Sequence, residues 1–318
     1  MARESQERRG VLSADPVSIV RLASGAAQVV LLPALGGSIG GFTLQDRPIL
    51  RATPDEAVTG ANVRLASCYP LVPYSNRIRD ARLTFSGQTF ALTRNFGDSP
   101  HSIHGVGWQR PWSVEAVTRS RAILALEHDA LGASAWPWPF RVRQTFDLAG
   151  EEKGACLTVT LTIENTGNAA FPYGLGWHPF FPRDRTTTLQ FVATAVWRND
   201  ATQLPVERIT AEEEWSFRAP RHLGAATIDN VFVGWDGRAI LRSGQGASAT
   251  IEADSACGRL VVYAPAERDF IAIEPVTHET DAFNRTASGA QNVGMRVLAP
   301  GSAYSCTMRI AASFSQSP

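Results

Sequence analysis

Two histidines, a carboxylate and an arginine stand on four separate segments of this sequence, each beside aromatic, glycine or proline residues. His178 is the only titratable group in GLGWHPFF (174–181). An imidazole starts near ~6.5; an apolar shell lowers that value and a nearby carboxylate raises it. The expectation is a His178 held close to neutral pH, able both to give and to take a proton. Glu274 follows the run FIAI and precedes Pro275. A carboxylate placed there is partly desolvated, which raises its pKa and makes it a stronger base once ionised. His278, Glu279 and Asp281 crowd the same segment, IEPVTHETDAFN (273–284), so spacing alone does not choose among them.

His104 lies in IHGVGW, where Gly105 and Gly107 leave room for a ligand to approach the backbone and Trp108 offers a flat face. His101 precedes it by three positions, but H-x-x-H without further ligands is no metal signature. Arg77, preceded by Asn76, forms a fork suited to hydroxyl or carbonyl oxygens, and Asp229 in IDNVF adds an acceptor. Taken singly, each residue has an ordinary structural explanation: a packed histidine, a loop histidine, a strand-end carboxylate, an ion pair, an Asx-turn. Taken together, they combine a proton acceptor, a proton donor and hydroxyl-reading groups with the aromatic faces of Trp108 and Trp177. That combination suits a carbohydrate, whose C–H faces pack on rings while its rim hydrogen-bonds.

The elements that must carry these groups read as β-strands. Apolar and polar residues alternate with period two through most of the chain. In LTVTLTIEN, Leu157, Val159, Leu161 and Ile163 face one way and Thr158, Thr160, Thr162 and Glu164 the other, a half-buried antiparallel strand. RLTFSGQTFAL places Ser86-Gly87 between two alternating runs, a hairpin. Helical periodicity is confined to DEAVTGANVRLAS (55–67) as a short helix. Many short strands with turn residues between them predict an all-β fold, a large antiparallel sandwich with few short helices. No linker or charge block divides the chain, so residues 1–318 read as one domain with a flexible N-terminal segment over 1–15.

Composition narrows the function classes. The 318 residues carry 30 basic and 30 acidic side chains, a balance that points to neither nucleic acid nor an anionic membrane. Lys153, in the polar turn GEEKG, is the one lysine, which argues against Schiff-base chemistry. The four cysteines are widely spaced without C-x-x-C, as free thiols of a reducing compartment are. No apolar segment reads as a secretory signal or a membrane span, and the expected location is cytoplasmic. The absence of G-x-G-x-x-G and P-loop patterns argues against nucleotide chemistry, and the expected cofactor is none.

The ordered motifs NRI (76–78), HG (104–105), HPFF (178–181), D-x-x-F (229–232) and EP-x-T (274–277) resemble those of the aldose 1-epimerase (galactose mutarotase) family, over roughly residues 20–312. The resemblance implies a large antiparallel β-sandwich and a set of roles. Glu274 corresponds to the general base that takes the proton of the C1 hydroxyl, His178 to the general acid that protonates the ring oxygen, and His104 to a second histidine contacting the sugar near that oxygen. Arg77 and Asp229 correspond to residues that hold sugar hydroxyls. It implies a small sugar as partner for a monomer or homodimer, with base and acid expected on opposite sides of the ring. DSPHSI before His104 and GVGWQRPW after it differ from the galactose-acting branch, so the sugar is not specified. Rival readings are a hexose-6-phosphate mutarotase, with Arg79, Arg82 and Arg110 as phosphate ligands, a sugar-binding module without turnover, and a glycoside hydrolase, which normally needs two carboxylates.

Overall fold

The computed structural model describes residues 19–130, 136–224, 227–243 and 246–314. The segment 1–15 expected to be flexible lies outside them. Two large antiparallel sheets dominate, one of eleven strands and one of nine. Alternation does what the sequence predicts. Leu157, Val159, Leu161 and Ile163 are fully buried, while Thr158, Thr160 and Thr162 are half-buried on the other face. The hairpin closes with Phe85 opposite Gln88, and Ser86 and Gly87 both take positive φ, as a tight two-residue turn requires. The short helix forms over Asp55–Thr59, followed by a 3-10 turn at Val63–Leu65.

Strand period explains how one sheet serves two purposes. In the eleven-stranded sheet, Cys68–Leu71, Gly176–Pro182, Phe270–Val276, Arg259–Ala264 and Ile228–Val233 lie side by side. Successive side chains alternate between faces. Trp177, Phe181, Ile271, Ile273, Leu260, Val262 and Phe232 point into the main core, which also holds the nine-stranded sheet's Leu157, Val159 and Leu161. Tyr69, Phe180, Ala272, Val261 and Val231 occupy the opposite face and form a second, smaller cluster. His178 and Glu274 share parity with that second set, so the strands that build the core also turn a titratable row the other way.

Candidate active site

Register brings that row together. His178 pairs with Tyr69, and Glu274 with Val261. Between these two ladders, Gly176 pairs with Val276 and Phe180 with Ala272, which puts His178 level with Glu274. Their side chains meet: His178 Nε2 lies 3.1 Å from Glu274 Oε1. Both are buried, at 7 % and 2 % exposure, on the floor of a cavity of about 480 Å³. That volume falls in the ~300–1,000 Å³ range of small-molecule sites. The Phe180 ring stacks on the His178 ring at 4.4 Å, and Tyr69 covers it at 4.7 Å.

Burial decides the electrostatics. It pulls His178 down to about 3, with the Arg51 guanidinium adding to the effect. This corrects the expectation of a His178 near neutrality: the apolar shell outweighs the carboxylate beside it. Burial likewise pushes Glu274 well above the usual carboxylate range; Asp229 pushes it further and Arg77 opposes. The contact therefore holds one proton between an easily protonated carboxyl and a reluctant imidazole. His178 Nδ1 makes no hydrogen bond among the described residues, so Glu274 sets the tautomer.

His104 arrives from a different direction. Arg77–Ile78 pairs with Ser102–Ile103 in a two-residue ladder, which delivers His104 beside Asn76. The Asn76 N–H donates to His104 Nδ1 at 3.0 Å, so Nε2 carries the hydrogen and is a donor. Burial holds this ring well below the ordinary histidine value, and His178 and Arg77 add to the effect. His104 packs edge-on to His178 at 5.5 Å between ring centroids. Gly105 does not admit a ligand to the backbone, as the sequence suggested. Its φ is +70°, and a Cβ there would overlap the Val72 carbonyl, which accepts the Val106 and Gly107 amides. The close approach is between two loops of the chain itself, and a Cβ at Gly107 would likewise meet the Val72 side chain.

Asn76, Arg77 and Asp229 line the same cavity. Arg77 donates from its main chain and its guanidinium to Asn76 Oδ1, at 2.8 and 3.2 Å, and its other arm lies 4.0 Å from Asp229. Asn76 Oδ1 is thus occupied, and its amide nitrogen is the group left for a ligand. Trp108 and Trp177 are not placed in the cavity wall. Trp108 packs behind Tyr69 and donates to the Gly105 carbonyl, and Trp177 points from its strand into the core. The strand period explains Trp177, since a neighbour of His178 in sequence must face the other way.

The remaining flagged groups have structural partners. His278 accepts from the Ser75 amide and donates to the Glu279 carbonyl. Glu279 accepts from Trp197 and Arg285, Asp281 from the Arg79 amide, and His101 from the Asp80 amide. Arg79 and Arg82 border a separate recess, and Arg110 contacts His128. Among the described residues, no group of three or more histidine, cysteine or acidic side chains is arranged to hold a metal ion.

Comparison with known proteins agrees with this architecture. The model of the aldose 1-epimerase family matches residues 18–311. The chain belongs to the aldose 1-epimerase family. It is 31 % identical over 284 residues to the uncharacterised protein YphB of Escherichia coli K12, covering 86 % of this chain and 92 % of that one. A crystal structure of a candidate aldose 1-epimerase from Escherichia coli K12 superposes with a TM-score of 0.84 at 28 % identity, covering 94 % of this chain and all of the other. A galactose 1-epimerase from Lactobacillus acidophilus shares the fold, with a TM-score of 0.76 at 15 % identity and 98 % of each chain covered. The family's β-sandwich is the fold described above. No helix of the described residues is long and apolar enough to cross a membrane.

Against this family background, the wall contains residues the sequence reading passed over: Tyr69, Phe180, Tyr263, Arg51, Arg64 and Arg268. Tyr69 and Phe180 lie inside segments already flagged, two residues or fewer from Leu71 and His178, and parity with His178 would have found Phe180. The arginines sit in unremarkable surface contexts, and only tertiary structure gathers them.

Proposed function

We propose that the protein is a mutarotase that interconverts the α and β anomers of a free aldose. The observation that carries this reading is the 3.1 Å contact between His178 Nε2 and Glu274 Oε1 on the floor of a monosaccharide-sized cavity. Opening a hemiacetal removes a proton from O1 and delivers one to O5. O1 and O5 are both bonded to C1, so acid and base belong side by side. That replaces the expectation of groups on opposite sides of the ring.

The proton count supports the pairing. One proton shared by Glu274 and His178 gives either a neutral pair or an ion pair of equal net charge. In the ion-pair form, Glu274 takes the O1 proton while the imidazolium gives its proton to O5. The C1–O5 bond breaks, C1 becomes an aldehyde, and the pair is left neutral. After rotation about C1–C2, O5 attacks the other face of the aldehyde. It returns its proton to His178 as Glu274 protonates O1. Burial favours the neutral pair and so opposes a trapped charge. The Nε2–H of His104 is a fixed donor for a sugar oxygen near the reacting centre, and Asn76, Arg77 and Asp229 offer hydroxyl contacts. The family's chemistry needs no cofactor. The four cysteines are free, consistent with a cytoplasmic setting.

The deciding experiment is saturation-exchange NMR across free aldoses. Enzyme-dependent exchange between anomers supports the reading. Tight sugar binding without exchange would identify a binding module instead.

A further inference from the structure

Four guanidiniums line the cavity, from Arg51, Arg64, Arg77 and Arg268, against the two carboxyls Asp229 and Glu274. Arg77 has Asp229 for company, and Glu274 sits in surroundings that favour its neutral form. Among the described residues, Arg51, Arg64 and Arg268 take part in no ion pair. They are oriented by rings instead. The Arg64 guanidinium lies 4.1 Å over Phe96. Arg51 lies 4.0 Å over Phe180 and 4.7 Å from Phe270. Arg51 also donates to the carbonyls of Ala66 and Arg64, at 2.9 and 3.4 Å, which fixes the backbone that presents Arg64. Stacking of this kind orients a guanidinium without neutralising it.

Depth separates these arginines from the proton-transfer pair. His178 and Glu274 are buried, whereas Arg64 and Arg268 are exposed at the rim. Tyr263 lies between the two levels, its ring edge-on to His178 at 6.5 Å. Burial raises its phenol and Asp229 adds to that, while Arg268 and Arg64 both act against it, so the two guanidiniums bear on one hydroxyl. A neutral sugar offers O–H donors as often as acceptors, and a guanidinium has five donors and no acceptor. A rim built of arginines matches a group that only accepts.

We propose that the substrate is an acidic pyranose, whose carboxylate, phosphate or sulfo group is held at the cavity mouth by Arg64, Arg268 and the Tyr263 hydroxyl while C1 faces His178 and Glu274. This rests on the mutarotase reading and specifies its substrate class. Charge-assisted, forked contacts from Arg favour such groups over hydroxyls. The Arg51 field adds to the attraction, partly offset by Asp269 outside the wall.

The test compares anomer exchange for glucuronate, glucose 6-phosphate, glucose 6-sulfate, glucose and galactose, at low and high salt. The expected result is kcat/KM at least ~10-fold higher for an acidic sugar than for its neutral parent, with the advantage shrinking as salt screens the exposed arginines. Which acid is preferred identifies the group. Arg64→Gln and Arg268→Gln should each lower the acidic-to-neutral ratio by ~5-fold or more, the scale of one lost charge-assisted hydrogen bond. Neutral sugars turned over as well as acidic ones, or a preference that survives in both variants, would overturn the proposal while leaving mutarotation standing. If no sugar is turned over, the mutarotase reading fails, and calorimetry on Glu274→Gln decides the subsite: equal affinity for glucuronate, glucose 6-phosphate and glucose overturns it, and ~10-fold tighter binding of an acid supports it.

Discussion

Asn76 and His104 are joined by two hydrogen bonds that run in opposite directions. The His104 amide donates to the Asn76 carbonyl, and the Asn76 amide donates to His104 Nδ1, each at 3.0 Å. Both residues have positive φ, +56° and +63°, a region non-glycine residues enter rarely and asparagine more readily than most. The preceding amide, Ser75, donates to His278 Nε2, so two consecutive amides end on two buried imidazoles from different loops. The arrangement fixes the His104 tautomer and aims its Nε2–H. His104→Gln should therefore lower kcat by about 10- to 100-fold, the value of a hydrogen bond to a group gaining charge. Because His104 stays neutral, the pH profile of the variant should keep the wild-type shape. A displaced limb in the pH–rate curve would show that His104 itself exchanges protons.

The Glu274–His178 contact predicts non-additivity. Glu274→Gln and His178→Asn should each cut the rate by ~100-fold or more, as loss of a general acid or base does. The double variant should fall little further than the worse single one, because either change already removes the shared proton. Rates at saturating sugar, with circular dichroism to confirm folding, check this. Independent, multiplying losses would mean that the two groups act in separate steps.

Much of this site was legible before any coordinates, because its floor follows the strand period. GWHPFF and FIAIEP alternate, so placing Trp177, Ile271 and Ile273 in the core also sends His178 and Glu274 to the other face together. What alternation does not encode is which strands become neighbours. Tyr263 joins the site through its pairing with Asp229 and Ala272, and Arg51, Arg64 and Arg268 through loops whose spacing carries no signal. Trp108 illustrates the opposite failure. An indole beside glycines reads as a sugar platform, yet the glycines serve loop packing and the ring is buried beneath Tyr69. The His178 environment was read correctly in kind and underestimated in degree, since sequence shows apolar neighbours but not how completely they exclude water.

The pH dependence follows from the two displaced groups. The competent pair holds one proton. It loses that proton as pH rises through the raised Glu274 value, and gains a second only as pH falls toward about 3, where His178 protonates. Activity should therefore persist well below ~6.5, the ordinary histidine pKa, until acid unfolding intervenes, and decline on the alkaline side. A pH series of exchange rates measures both limbs. An acid limb centred near ~6.5 would contradict the burial argument, because it would report a histidine in contact with water.

Placing a carboxyl beneath Tyr69 and Phe180 also costs stability, and the cost has a sign. The folded-state pKa of Glu274 lies above its unfolded value of ~4.3, so the folded protein binds more protons in the interval between them. The stabilisation linked to that proton is present at low pH and is lost as pH rises through the folded value. Glu274→Gln keeps a hydrogen-bonding group opposite His178 but has no proton to lose. The variant should be more stable than wild type, with the gain larger at mildly alkaline pH than near pH ~4.5. Each ~1 kcal/mol recovered would raise Tm by ~2 °C or somewhat more in a chain of this length. Thermal unfolding of both proteins across that range reads it directly. A Tm difference that stays constant with pH, or grows toward acid, would show that Glu274 is already ionised in the folded state and that Arg77, rather than burial, governs its charge.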